Sequence, residues 1–363
     1  MSKRDELGWS VALVGASTLK GKEVKAIFES RDFPLKRLAL LDTPDVGGQL
    51  TEFDDEPAII LPINKESFED IQLAIFACPP AFTQDHWQMA ASSGCSIIDL
   101  SWQLETHPEA QFIVPSIEHF PTEILPTGGA NHSDGRSAAA QIFIPAHPVS
   151  IAIAAILLRL AGISSIERSV VTVFEPASER GQAGVDELHQ QTVKLLAFQN
   201  IPRTVFDAQV AFNLLINYGD QSRPALRDVE SRIATHLGRL LGDSTRRPAL
   251  RVVQAPVFFG YTFSCYVELA ESHPTAVMEE ALERTPLSVS RDAASQPNVV
   301  DGAGSDDVLL GRVERDSSCE TGYWIWGVVD NVRFAALNTV QIAERLLAIS
   351  LGDRGKEPSE ASR

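Results

Sequence analysis

The stretch from Trp9 to Asp42 constrains the fold more than any other part of the chain. It reads as an apolar strand (SVALVG), a turn closed by a glycine (ASTLKG), an amphipathic helix (KEVKAIFES), a proline-containing loop and a second apolar strand (RLALLD). Parallel strands cannot be joined by a tight turn, so a helix placed between two such strands makes a right-handed βαβ crossover. Strand-like apolar runs recur at Arg37–Leu41, Ala58–Ile60, Leu73–Cys78 and Ser96–Leu100, with helical stretches between them. That alternation predicts an α/β domain built on a helix-covered parallel sheet, whose ligands lie beyond the carboxyl ends of the strands.

The character of the chain changes after the fifth run. His107–Arg136 is rich in Pro, Gly, His and Asn and reads as loops leading to a short strand, QIFIPA, and the apolar helix Val149–Leu160, where one domain gives way to the next. Longer, hairpin-like strands follow at Ser169–Glu175, at Ala249–Phe259 with Thr262–Leu269, and at Val308–Val313 with Tyr323–Val329. Helical patterns at Val185–Phe198 and Leu226–Leu241 separate them, so this half reads as an α+β domain with a mixed or antiparallel sheet. Ser288–Asp307 reads as a long surface loop, Asn331–Ser350 as a helix with an apolar face, and residues 351–363 as a disordered tail.

At 363 residues the length favours two domains. Lys and Arg number 31 against 48 Asp and Glu, a net charge of −17 that repels nucleic acid and anionic membranes. Four cysteines without metal-ligand spacing predict no metal site and a reducing, cytoplasmic setting. The N-terminus has no apolar signal region, and no run is long enough to cross a membrane.

The turn Gly15-Ala16-Ser17-Thr18-Leu19-Lys20-Gly21 lies between a strand and a helix, the context in which main-chain N–H groups receive a pyrophosphate. Gly15, Ser17, Thr18 and Gly21 are therefore candidate dinucleotide contacts. Thr18 stands where such turns carry a middle glycine, and its Cβ would crowd the phosphate if φ were positive there. Asp42, ending the second strand, is placed to bind a ribose hydroxyl and to repel a 2′-phosphate. Weak NAD binding with NADP disfavoured is the expectation, and a bare βαβ turn without nucleotide is the alternative. The run Asp42, Asp45, Glu52, Asp54, Asp55, Glu56 reads as a solvated acidic loop that adds to the bias against NADP.

GWSVALVGASTLKG, ESRDFPLKRLALLD, GCSIIDLS, GVDELHQQTVKLL, AFNLL, VVQAPVFFG and VVDNVRFAALNTVQIAERLL, in chain order, resemble the aspartate-β-semialdehyde dehydrogenase family. The resemblance implies a Rossmann domain over residues 1–148, a catalytic and dimerisation domain over 149–330, and a helix at 331–350 packing back on the first domain. It implies Asn331 as a cofactor contact and a homodimer as the assembly. Family members reduce an aspartyl phosphate with a nicotinamide cofactor through a cysteine thioester. Val149 falls on the position of that cysteine, in Ala146-His147-Pro148-Val149-Ser150-Ile151, and Tyr261 on that of the histidine base. Glu175 stands for the glutamine that orients the acyl group, and Glu179 for a glycine beside the nicotinamide. An arginine expected near Gln103-Leu104-Glu105 is missing.

These departures are similar to those of the Usg-like side branch, and they imply a dimeric pseudoenzyme with a structural, binding or regulatory role. Two rivals stand beside it. One is an active NAD(P)-linked semialdehyde dehydrogenase whose nucleophile is Cys78 or another group. The other is a module that holds a nucleotide or metabolite without chemistry, its small-molecule or protein partner not named by the sequence. His147 is the one imidazole near the expected site, Ser150 reads as a helix-start residue satisfying free N–H groups, and Cys95 and Cys265 lie in apolar strand context.

Overall fold

A computed structural model describes residues 8–31, 33–117, 140–292, 294 and 296–354. The chain divides into two units, Met1–Pro145 with Ala335–Arg363, and Ala146–Phe334.

The first unit contains β1 (Trp9–Val14), α1 (Leu19–Ser30), β2 (Leu35–Asp42), β3 (Leu50–Phe53), β4 (Glu56–Ile59), β5 (Leu61–Pro62), β6 (Leu73–Phe76), α2 (Pro80–Ser92), β7 (Ser96–Asp99), β8 (Ala110–Ile113) and β9 (Ile142–Pro145). Seven of the strands form a parallel sheet in the order β5-β2-β1-β6-β7-β9-β8. Strand β1 is buried along its whole length, as an apolar run without alternation requires. Its side chains divide by parity. Val11 and Leu13 join Val24, Ile27 and Phe28 of α1 in one core, while Ala12 and Val14 join Phe68, Phe76 and Ala90 in the other.

Two expectations fail here. The run at Ala58–Ile60 does not enter the parallel sheet; β4 pairs antiparallel with β3 in a separate hairpin, and Leu61–Pro62 pairs with β2 instead. The cause lies in the acidic run. Asp54 and Asp55, at φ 55° and 61°, make the two-residue turn that suits a hairpin, and aspartate tolerates that left-handed backbone better than most residues. Within the tract read as loops, Ala110–Ile113 is an edge strand beside β9; residues 118–139 lie outside the described residues.

The second unit contains α3 (Pro148–Ala161), β10 (Ile166–Glu175), α4 (Gly181–Leu196), α5 (Leu226–Leu241), β11 (Ala249–Gln254), β12 (Tyr261–Leu269), α6 (Thr275–Leu282), β13 (Leu287–Val289), β14 (Val308–Leu310), β15 (Glu314–Arg315) and β16 (Gly322–Val329). The last helix, α7 (Asn331–Arg354), begins in this unit and gives its residues from Ala335 onward to the first, where Ala336, Val340, Ala343 and Leu347 join the core of β1 and α1. It runs beyond Ser350 into the segment expected to be a tail, and residues 355–363 lie outside the described residues.

The sheet of the second unit is mixed, in the order β11-β10-β12-β16-β14-β13 with β15 on β16. The expected hairpin between Ala249–Phe259 and Thr262–Leu269 does not form: β11 runs parallel to β10, and β12 lies on the other side of β10. Pro256 lacks the N–H needed to continue a ladder, and the carbonyls of Val257 and Phe258 instead accept from Ala177 and Ser178. The expected pairing of Val308–Val313 with Tyr323–Val329 does occur, as β14 with β16. The stretch read as a loop from Ser288 opens with β13, paired parallel to β14. On one face of the sheet Val170, Tyr266 and Trp324 stand in register, as do Thr172, Ser264 and Trp326. Val170, Trp324 and Trp326 are 42%, 44% and 38% exposed there.

Residues 199–218 carry no helix or strand longer than a single bridge. The buried carboxylate of Glu187 on α4 secures them, accepting from Thr204 N (2.6 Å), Thr204 Oγ1 (2.7 Å), Val205 N (2.7 Å) and Phe206 N (3.2 Å). Gln191, one turn on, accepts from Val210 N and donates to Pro202 O and Ala208 O. Glu187→Ala leaves three main-chain donors without their acceptor, one of them on the buried Phe206, so a loss of roughly 1–3 kcal/mol is expected by chemical denaturation. Glu187→Gln is expected to lose less, and equal midpoints for Glu187→Ala and the unmodified protein would refute the role.

Candidate functional site

In the first unit the turn after β1 is shaped by close approach. Gly15 sits at φ +85°, where a Cβ would come within 2.8 Å of Cys78 N, and a Cβ on Gly21 would meet Gly15 O at 2.0 Å. Thr18 lies at φ −69°, ψ 165°, an extended conformation open to any L-residue, so the crowding expected for a positive φ does not arise. Its hydroxyl caps α1 instead, accepting from Gly21 N at 2.9 Å, with Gly15 O and Ala77 O both 2.8 Å away as acceptors for its single proton. Asp42 is buried; its carboxylate accepts from Ser17 N (2.9 Å) and Thr43 N (2.8 Å) rather than standing open to solvent. Gly15 N and Ala16 N both reach Leu41 O. The structure thus gathers Gly15, Ser17, Thr18, Gly21 and Asp42 at one turn, where the amides of Gly15, Ala16, Ser17, Thr18 and Gly21 already have acceptors within the protein.

Beside this turn, Cys78 Sγ contacts Thr83 Oγ1 at 3.2 Å, and Ser101 Oγ contacts the same oxygen at 3.0 Å. Burial pushes the Cys78 thiol up to about 12, Cys95 to about 11 and Cys265 to about 12, so none of them forms thiolate near neutrality. The Cys319 thiol is lowered by its hydrogen bond with Thr321 and lies on the loop before β16.

The second unit brings most of its expected residues together. Val149 is fully buried in the first turn of α3, and no residue from Ala146 to Ile151 is a cysteine. His147 precedes that helix: its Nε2 lies 3.3 Å from Tyr261 Oη, and its main-chain N donates to His236 Nδ1 at 2.9 Å. His236 is therefore a second imidazole here, which the sequence reading missed; its signal is a histidine among Ile233, Leu237 and Leu240 on the buried face of α5. Ser150 does not cap its own helix but donates to Ile233 O at 3.0 Å, tying α3 to α5. Burial holds the Tyr261 hydroxyl well above its usual range, so it stays protonated and can only donate or accept, never act as a base for a thiol.

Glu175 ends β10 with its side chain fully buried. Tyr218 Oη lies 3.1 Å from Glu175 Oε1 and 2.6 Å from Gln254 Oε1. One hydroxyl proton cannot serve two acceptors. Gln254 Nε2 donates to Glu175 O and Ala255 O, which fixes its amide with Oε1 toward Tyr218. Tyr218 donates to Gln254, and a protonated Glu175 donates to Tyr218. Burial raises Glu175 to about 8, with Glu179 adding repulsion and Arg180 opposing both, so the acid form prevails at neutral pH. Arg180 stacks on the Tyr218 ring, 4.6 Å from its centroid, and donates to Pro224 O. Asn331 is already satisfied: Oδ1 accepts from Ser178 Oγ (3.1 Å) and Gly260 N (3.0 Å), and Nδ2 donates to Glu179 Oε1 (2.9 Å). Tyr218 and Gln254 were not legible beforehand, since only the fold brings them to Glu175.

An acid whose native pKa exceeds its unfolded value contributes stability fully below the unfolded value and loses it as pH rises through the native one. For Glu175 that window runs from about 4.5 to about 8, at up to roughly 1.4 kcal/mol per pH unit. Thermal unfolding across this range is expected to show a decline that Glu175→Gln abolishes, with the variant the more stable at the alkaline end. Parallel curves for the two proteins would contradict the assignment.

Among the described residues no group of three or more His, Cys, Asp or Glu is placed to hold a metal, and no helix is long and apolar enough to cross a membrane. Residues 10–125 match the semialdehyde dehydrogenase NAD binding domain, and residues 157–334 the semialdehyde dehydrogenase dimerisation domain. A USG-1 protein homolog of Azotobacter vinelandii is 32% identical over 341 residues, 93% of this chain and 97% of that one. An aspartate-semialdehyde dehydrogenase of Rickettsia bellii is 29% identical over 93% of this chain and 98% of its own. The structure of a probable aspartate-semialdehyde dehydrogenase from Pseudomonas aeruginosa superimposes with a TM-score of 0.81 at 29% identity, covering 94% of this chain and 98% of that one. With both domains matched and relatives aligned across nearly its whole length, the chain belongs to the semialdehyde dehydrogenase family.

Proposed function

We propose that this chain is a homodimeric, catalytically silent member of the family that holds its ligand without reducing it. One observation carries the reading: the first turn of α3 presents the buried Val149 and no thiol, and the side chain facing His147 from β12 is a permanently protonated tyrosine. Thioester chemistry needs a thiolate and a base to form it, and the two positions that carry them in the family hold Val149 and Tyr261 here. The rival assignment of Cys78 as nucleophile meets a thiol pushed up to about 12 and engaged with Thr83.

For the cofactor, the turn at Gly15 and the start of α1 would hold the pyrophosphate and Asp42 the ribose, and a bound dinucleotide would supply a hydride acceptor. Asp42 and the hairpin turn of Asp54 and Asp55 favour NAD over NADP by like-charge repulsion of a 2′-phosphate. Engagement of the Ser17 and Gly21 amides by Asp42 and Thr18 supports weak binding. For the assembly, the family's dimerisation domain and the aromatic face of Val170, Tyr266, Trp324 and Trp326 support a second copy across that sheet.

Given aspartate semialdehyde, phosphate and NAD or NADP, the protein is expected to produce no saturable rise in NAD(P)H absorbance. Val149→Cys alone should remain silent, and Val149→Cys with Tyr261→His should exceed either change alone, since a general base typically contributes ~10²–10⁴-fold and such groups act as a unit. Saturable turnover by the unmodified protein would overturn the reading. Light scattering should give twice the 39.5 kDa of one chain, and Val170→Glu should shift it toward one; a monomeric unmodified protein at micromolar concentration would refute the dimer.

A further inference from the structure

In the first unit the strand order reverses between β1 and β6, since the sheet runs from β1 to β2 on one side and to β6 on the other. Crevices at such points, beyond the carboxyl ends of the strands, are where open α/β sheets take ligands. Here a chain of contacts surrounds the end of β6. Thr18 Oγ1 reaches Ala77 O at 2.8 Å, Cys78 Sγ reaches Thr83 Oγ1 at 3.2 Å, and Ser101 Oγ reaches the same Thr83 oxygen at 3.0 Å. The circuit closes through Lys20, whose Nζ lies 4.4 Å from the centroid of the Trp102 ring. Lys20 belongs to the first turn of α1, after β1, and Trp102 follows β7, so their contact crosses the carboxyl end of the strand between them.

Trp102 is held for this position. Its backbone adopts φ +60°, a left-handed conformation that is an outlier for so bulky a residue. Its Nε1 donates to Pro145 O at 2.9 Å, which fixes the plane of the indole, and the residue is 8% exposed. One edge is thus anchored to the main chain while a face is covered by a positive charge. An indole face attracts any cation through its quadrupole.

We propose that Trp102 is a stacking platform for the planar, positively charged ring of an oxidised pyridine dinucleotide, with the Lys20 ammonium as its internal stand-in. The proposal rests on the reading that the first unit takes a dinucleotide. Oxidised and reduced dinucleotides share pyrophosphate and riboses and differ in the charge of one ring. A platform of this kind therefore favours the oxidised form, and Lys20 competes with that form alone.

The test is titration of the full-length protein with NAD⁺ and with NADH, by calorimetry and by tryptophan emission, in the unmodified protein and in Lys20→Met, Trp102→Leu and Trp102→Phe. Lys20→Met is expected to tighten NAD⁺ relative to NADH by roughly 3- to 10-fold. Trp102→Leu should bring the two affinities to near equality and remove the quenching of emission by NAD⁺, while Trp102→Phe keeps most of the preference. If Lys20→Met shifts both forms equally, Lys20 acts on the pyrophosphate and the platform is refuted. An unchanged ratio in Trp102→Leu, folded as judged by circular dichroism, also refutes it. If neither dinucleotide binds any of the four proteins, the dinucleotide reading of the first unit fails, and this proposal with it.

Discussion

A carboxyl group withdrawn from water must be given donors or must keep its proton, and the irregular parts of this chain are arranged around that requirement. Asp42 takes the amides of Ser17 and Thr43 and so closes the turn after β1. Asp99 takes those of Ser101 and Leu104 and shapes the chain that leads to Trp102, although burial still pushes its carboxyl above the usual range. Glu187 gathers the amides of three successive residues and turns a structureless segment into a fixed one. Glu175 has only the Tyr218 hydroxyl, and its Oε2 is buried without a partner. The difference is one of neighbours: the first three face loops with N–H groups to spare, whereas Glu175 faces side chains that already have acceptors.

The features that carry the family resemblance are those that packing enforces. Gly15 and Gly21 admit no Cβ, and the closing segment places Asn331 among Ser178, Gly260 and Glu179 before α7 turns its small and branched residues into the core of the first unit. Val149, Tyr261 and Glu175 fit their surroundings as well, by filling space and by exchanging hydrogen bonds with His147 and Tyr218. Fold and chemistry make separate demands on the same positions, so packing preserves the shape of such a site whatever reactive groups it carries.

What the sequence disclosed follows the same division. The βαβ unit was legible because β1 is buried on both faces and α1 on one, so each period stands out in the residue pattern. The helix Leu226–Leu241 was legible to the residue for the same reason. The β3–β4 hairpin was not, since Asp54 and Asp55 read equally as a solvated acidic loop until their backbone angles are known. Two adjacent apolar runs at 249–269 suggested a hairpin, and nothing local to them discloses that β10 lies between. In the site, Val149, Glu175 and Tyr261 could be picked out by alignment to motifs, while His236 and Tyr218 meet His147 and Glu175 across 89 and 43 residues of chain, separations over which local pattern says nothing.

The segment clamped by Glu187 has one further consequence, for how the protein behaves in a crowded solution. Strand β11 is the last in its sheet, and an uncovered edge offers a row of N–H and C=O groups to any other extended chain. Leu215 exchanges two main-chain hydrogen bonds with Gln254, at 3.1 and 2.8 Å, and Glu230 takes the amide of Val252. Two alternate positions of the outer edge are thereby spoken for by the chain itself. The segment that delivers Tyr218 to Glu175 thus also covers this edge at Gln254, and loosening it would uncover that pair of main-chain groups to another extended chain.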